Sequence, residues 1–424
     1  MALPAAAFLP PAAAVPAPMA DPVATPFRER LLLVVLYITV FASSVAFIEP
    51  SPHDALMGVL AVAGLIAGIR FHRILLVPFA LLLLWNFAGL MALFQVTQHD
   101  KTIQYTATSI YLAIAAMLFA MLFAQNTMQR LSVMQKAYVL TAVVFGILGC
   151  LGYFNAFPGV DMFTRDGRAH GAFKDPNVFG PFQIWPILFL VERMLTRRIA
   201  LTDVIVAGII LFSLLLCFSR GAWFHFVVSA LVMVALTFLT APSPKARMRV
   251  FGLTALCVAA MAGLLIFLLS FSSIGTMFTE RAQLIQSYDV GGSMGRFRLQ
   301  ELALGSVLNF PNGMGPFEFS RVHGLQQHNV YLQAFLVYGW AGAMAYLLLL
   351  GTTVWIGLKT ALMRTPWQPY SITALAVFIG EIAEGIIIDT DHWRHFFLML
   401  GIIWGLAAAT RTAQRAPHVS AAPA

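Results

Sequence analysis

Four stretches of the chain gather side chains able to do chemistry, and a fifth adds acids. The first is "RDGRAHGAFKDPNVFG", residues 165–180, which sets Arg168, His170, Lys174 and Asn177 among glycines. Asp175 reads as a helix N-cap and Pro176 as the first helical residue. A helix N-terminus beside Arg and Lys suits an anion, although an ordinary capped loop is the plainer reading. The second is "CFSRGAWF", residues 217–224, where Arg220 stands between two apolar runs with almost no loop to hold it. A charge there is costly unless it snorkels or faces a polar cavity. The third is "GGSMGRFRLQ", residues 291–300, with Arg296 and Arg298 after a Gly-rich turn. Arginines spaced by two point the same way on a strand and well apart around a helix, and their forks suit phosphate. The fourth is "QQHNVYLQAFLVYGWAG", residues 326–342, in which His328 and Asn329 precede a long apolar helix. A histidine titrates near neutrality and can serve as general base, or it can be a hydrogen-bonded interfacial side chain. The fifth, "DTDHWRHFF", residues 389–397, crowds Asp389, Asp391, His392, Arg394 and His395. These acids can orient an arginine or a histidine, or can be plain interfacial residues. No HExxH, Cys/His ligand set, P-loop or dinucleotide fingerprint occurs, so nothing calls for a metal, a nucleotide or a redox cofactor.

The elements that position these residues follow from composition. Of 424 residues, 60% are hydrophobic and only 10% charged, against about 25% charged in soluble proteins. Apolar runs of roughly 18 residues or more recur along the chain, and each reads as a membrane-spanning helix. The fold class is an all-α polytopic integral membrane protein with about twelve spans. They lie near residues 30–48, 54–69, 73–94, 103–124, 134–155, 177–194, 200–218, 220–240, 248–271, 329–358, 369–388 and 394–411. Gly339 and Gly342 could break the tenth into two pieces. The three cysteines, Cys150, Cys217 and Cys257, fall in apolar runs without metal spacing or a disulfide framework.

Charge sets the orientation. Arg28, Arg30, Arg70, Arg73, Arg130, Lys136, Arg193, Arg197, Arg198, Lys245, Arg247, Arg249, Lys359, Arg364, Arg411 and Arg415 fall on one side of the spans. The positive-inside rule makes that side cytoplasmic, with both termini inside. The net charge of +8 is spread over short loops, which argues against nucleic acid. Residues 1–27 are an Ala/Pro-rich stretch read as a disordered cytoplasmic tail, 28–411 as the membrane domain, and 412–424 as a second tail. The other side carries two long loops, 156–176 and 272–328, the latter expected to hold short helices. Lys101, Arg165, Arg168, Lys174, Arg220, Arg281, Arg296, Arg298, Arg321 and Arg394 collect there, against the usual bias.

"GAFKDPNVFG", "FSRGAWF", "GRFRLQ…PNGMGPFEF" and "HNVYLQAFLVYGWAG" occur in this order, the last after the long loop. Together they resemble the bacterial O-antigen ligase and polymerase superfamily, in motif over about residues 165–345 and in topology over the whole chain. The resemblance implies a metal-independent glycosyltransferase of the bacterial inner membrane, multi-pass, with its active site facing the periplasm. Ligases of that family move a glycan from undecaprenyl diphosphate to the lipid A-core oligosaccharide, completing lipopolysaccharide. The family's catalytic residues match here as Arg220, Arg296 and His328, with an outer acid at Asp389. Arg168, Lys174, Asn177, Arg298, Asn329, Asp391 and Arg394 are the accompanying substrate-binding candidates. Gln300 departs from the pattern, which has an aromatic residue there. The chemistry fits: a departing diphosphate needs fixed cations or a metal, and a sugar hydroxyl, a poor nucleophile, is helped by a base. A single displacement would invert the anomeric centre.

Three rivals stand beside the ligase. Two belong to the same superfamily: an O-antigen polymerase and a protein O-oligosaccharyltransferase. The third is a 12-span transporter or flippase, favoured by Glu381 and Glu384 within the eleventh span but lacking inverted, interrupted repeats.

Overall fold

A computed structural model describes residues 25–48, 50–97, 99–282 and 295–415. The helices run α1 (Phe27–Phe41), α2 (Pro52–Ala67), α3 (Leu76–Ala92), α4 (His99–Phe123), α5 (Thr127–Tyr153), α6 (Pro176–Thr196), α7 (Leu201–Leu216) and α8 (Arg220–Thr240). They continue as α9 (Pro244–Leu269), α10 (Ser272–Ala282), α11 (Arg296–Asn309), α12 (Glu318–His323), α13 (Val330–Ala361), α14 (Gln368–Glu384) and α15 (Arg394–Arg415). A two-stranded ribbon, β1 (Thr164–Arg165) and β2 (Arg168–Ala169), is the sheet structure among the described residues. The chain is an α-helical, multi-pass membrane protein.

A helix coincides with each of the expected spans, but not all have spanning length. Among the described residues eight are long and apolar enough to cross a membrane, and α2 and α7 are apolar but shorter. Helices α1, α2, α7 and α14 have 15, 16, 16 and 17 residues. At about 1.5 Å per residue, such lengths fall short of a hydrocarbon core of about 30 Å, whereas α3, 17 residues by itself, reaches 23 with the 3-10 turns that flank it at Arg73–Leu75 and Leu93–Gln95. The tails shift slightly from their expected limits. Helix α1 begins at Phe27, and α15 runs past 411 to Arg415, because Ala407–Arg415 is rich in helix formers and Pro417 is the first breaker. The rest of both tails, and the Gly-rich turn before Arg296, lie outside the described residues.

Two helices form the centre. Helix α6 and helix α15 are largely buried, whereas α9 is almost wholly exposed along its length. The exposed Cys257 belongs to α9, while Cys217 is buried. Helix α15 packs on α4 through Gly401 and Gly405; a Cβ on either would lie 2.6 and 2.8 Å from Phe119 Cβ and the Ala120 carbonyl oxygen. Small residues four apart let helix backbones approach where lipid supplies no hydrophobic drive. At one end of the bundle Arg130 donates through Nε and Nη2 to both carboxylate oxygens of Glu29, each 2.8 Å away, and through Nη1 to the Leu122 carbonyl. A buried guanidinium is tolerated there because every direction is filled.

Helix α13 is broken at Gly339, as expected, where φ is +65° and ψ −174°. The loop 311–315, "PNGMG", fills the break. Met314 N and Gly315 N donate to the Leu336 carbonyl, and Trp340 N donates to the Pro311 carbonyl, 2.8 Å away. Backbone groups freed inside a membrane helix must find such partners.

Candidate active site

The opposite end of the bundle holds the candidate residues, and local sequence explains their placement. "DG" at 166–167 takes left-handed φ values of 51° and 67°, the requirement of a tight two-residue hairpin turn. That turn pairs Arg165 with Arg168. Arg168 is then pinned: its Nε donates to the Cys217 carbonyl and its Nη2 to Asn177 Oδ1, both at 2.8 Å. Asp175 caps α6, accepting from Asn177 N at 2.7 Å, with Pro176 first in the helix. Ser219 caps α8, accepting from Ala222 N, which makes Arg220 its first residue. Phe218 before it has φ +44°, a strained value for a bulky side chain.

These elements surround a cavity of about 780 Å³. Arg168, Arg220, Arg281 and Arg296 line it, with His328 and Asp389. Residues of the first turns of α6, α8 and α11 line it too, so three helix N-termini bring their positive dipole ends to one space. Arg281 was not among the candidates; it belongs to the amphipathic α10, and nothing in its neighbours marks it out.

His328 and Asp389 meet although 61 residues separate them. Asn329 caps α13, accepting from Tyr331 N and Leu332 N at 3.0 Å, and its Nδ2 donates to the Ile386 carbonyl. Val330 N donates to the Gly385 carbonyl at 2.8 Å. These bonds tie the start of α13 to the segment after α14. His328, with φ +49°, thereby sets Nδ1 3.5 Å from Asp389 Oδ2. Its side chain is 46% exposed and Asp389's 22%, so the imidazole is reachable while the carboxylate is held behind it. Burial pushes the Asp389 carboxyl above its ordinary value, and the adjacent His328 pulls in the opposite direction. Asp389 Oδ1 is buried and has no hydrogen-bond partner. A carboxylate facing Nδ1 favours the tautomer that leaves Nε2 as acceptor.

Asp389, Asp175, Val178 and Trp393 also line a second cavity of about 860 Å³, so the two chambers share a wall. Lys174, Asp391 and Arg394 fall in this second chamber. Asp391 accepts from Tyr105 Oη at 2.6 Å and lies 3.1 Å from His392 Nδ1. Arg394 donates to both carboxylate oxygens of Asp54, at 3.2 and 3.0 Å.

The remaining candidates stand apart. Arg298 is exposed, bridges to Glu301 at 2.6 Å and lines neither chamber. The reason is helical geometry: two residues on, at about 100° each, Arg298 points away from Arg296. Asn329 serves as a cap and likewise lines neither chamber. Glu384 lines the first chamber, with Oε2 2.9 Å from the buried His225 Nδ1; Glu381 is buried, 3.3 Å from His395. Comparison with protein-family models and with curated proteins found no match.

Proposed function

We propose that this chain is an inverting glycosyltransferase of the bacterial inner membrane that moves O-antigen glycan from undecaprenyl diphosphate to the lipid A-core oligosaccharide. In this reading it has about twelve spans with both termini cytoplasmic, and the two chambers face the periplasm. The observation that carries it is the His328–Asp389 pair in the wall of a cavity where four arginines and three helix N-termini converge.

The chemistry runs as a single displacement. The acceptor hydroxyl oxygen attacks the anomeric carbon, and the bond from that carbon to the diphosphate oxygen breaks. Negative charge grows on the leaving diphosphate, where fixed guanidinium groups and helix N-termini stabilise it most in the transition state. The hydroxyl proton passes to His328 Nε2, and Asp389 beside Nδ1 stabilises the imidazolium that forms. Undecaprenyl diphosphate leaves with the electron pair. With arginines in that role, transfer should persist in excess chelator; activity restored only by added magnesium would contradict it.

The decisive experiment deletes the gene and scores lipopolysaccharide banding. Ligation predicts bare core, with full-length chains still on the carrier. Core bearing single repeats would instead indicate a polymerase, and unchanged banding would remove both readings.

A further inference from the structure

In the proposed displacement only the first chamber holds the diphosphate, yet the second is the larger of the two and touches the first through Asp389. We infer that it seats the acceptor sugar, presenting a hydroxyl to His328 across the shared wall; this rests on the transferase reading. Its lining differs in kind from that of the first chamber. Arg394, its one arginine, is neutralised by two hydrogen bonds to Asp54. The rest mixes amide, hydroxyl and aromatic groups, among them Gln104, Thr108, Gln333 and Tyr105, with two lysines, Lys101 and Lys174, set among the carboxylates of Asp175, Asp389 and Asp391. Such a mixture offers donors and acceptors in several directions together with flat apolar faces, which is what a hydroxylated ring presents in return.

The polar groups are held in place. Tyr105 Oη donates to Asp391 at 2.6 Å and accepts from Gln333 Nε2 at 3.2 Å, and its ring lies against that of His392, tilted by 40° with centroids 3.9 Å apart. A pre-organised network of this kind fixes orientation at small entropic cost. The Asp389 carboxylate faces both chambers. Its Oδ2 is set toward His328, while its buried Oδ1 has no protein partner. An acceptor hydroxyl that donated to Oδ1 would satisfy that oxygen and hold a ring next to the base.

The test uses full-length protein in nanodiscs, with undecaprenyl-diphosphate-linked O-glycan as donor and O-chain-free lipopolysaccharide as acceptor. Thr108→Trp fills the chamber, and the exposed Gln104→Ala removes one hydrogen-bonding side chain with little threat to folding. Thr108→Trp should raise the acceptor KM by at least about tenfold, and Gln104→Ala by about three- to tenfold, as expected for losing one hydrogen bond. Donor KM should stay unchanged in both. If wild type transfers glycan but both variants keep the acceptor KM, or if donor KM rises equally, the acceptor chamber is overturned alone. If wild type transfers nothing to this acceptor, the transferase reading falls and the inference falls with it.

Discussion

On one side of Asp389 and Trp393 stand Arg168, Arg220, Arg281 and Arg296 with three helix beginnings; on the other stand Gln104, Thr108, Tyr105 and an arginine already paired with Asp54. Both chambers are of similar volume and open at the same end of the bundle. The difference lies in how charge is treated. The first brings four guanidinium groups and three positive dipole ends to one space, an arrangement that suits an anionic ligand. The second sets Lys101, Lys174 and Arg394 among Asp54, Asp175, Asp389 and Asp391, with Arg394 held by Asp54, so that a ligand meets charges of both signs beside neutral polar groups. Space of similar size is thereby made selective for different chemistry, and the imidazole reaches both ligands only where the wall is shared.

The largest effect is expected at that wall. His328→Ala should lower turnover by about 10²- to 10⁴-fold while donor binding and protein level stay near wild type. His328→Gln keeps hydrogen bonding but takes up no proton, so it should be almost as slow. A glutamine variant with substantial turnover would reduce His328 to a positioning residue. Next in size is a change confined to the cationic side. Arg220→Lys keeps the charge and loses the fork, and should cost about ten- to a hundredfold in kcat/KM for the donor with the acceptor KM unmoved. An equal effect on both substrates would dissolve the distinction between the chambers.

The smallest effect lies on the neutral side and depends on pH. Burial works to lower the His392 pKa, but Asp391, the Tyr105 carbonyl and Asp389 together outweigh it and leave it above the ordinary histidine value. A raised histidine pKa contributes stability that is complete below the unfolded value and is lost as pH rises through the folded one. His392→Gln should therefore lower the Tm by roughly 2 °C near about pH 6, and the deficit should shrink toward alkaline pH. A deficit that grows with pH in calorimetric scans would mean that the Asp391–His392 pair is not what holds this wall.

Much of this end of the molecule was legible in the sequence because it is written in local signals. Asp175–Pro176 announces a capped helix, and Ser219 before Arg220 does the same. Arginines at helix starts and a histidine before a long apolar run are visible without coordinates. The question left open at Arg296 and Arg298, strand or helix, is settled by α11, which sends them in different directions. What could not be read were contacts made across the chain. Nothing local announces that Arg281 joins the other arginines, or that residues 385–389 dock on 328–330. Such pairings depend on helix packing, and the sequence around either partner does not encode the other. The short helices were likewise found by apolarity; of these only α2 has its limits marked by local signals, the Ser51–Asp54 capping box and the left-handed Gly68, whereas α1, α7 and α14 begin without a side-chain cap.

The break at Gly339 bears on how the chain is built. Residues 311–315 leave the ribosome before α13 does, and they supply both the donors for Leu336 and the acceptor for Trp340. The plug is therefore made before the gap it fills, and the two halves of the helix need never wait unpaired in lipid for a partner synthesised later. The half-helix 330–338, which carries His328 at its tip, takes its heading from that plug rather than from the surrounding lipid. A side chain at position 339 would press within 2.7 Å of the Pro311 carbonyl oxygen and tilt that heading. A fault introduced during biogenesis, many residues from any substrate, would then be felt as a misaimed imidazole.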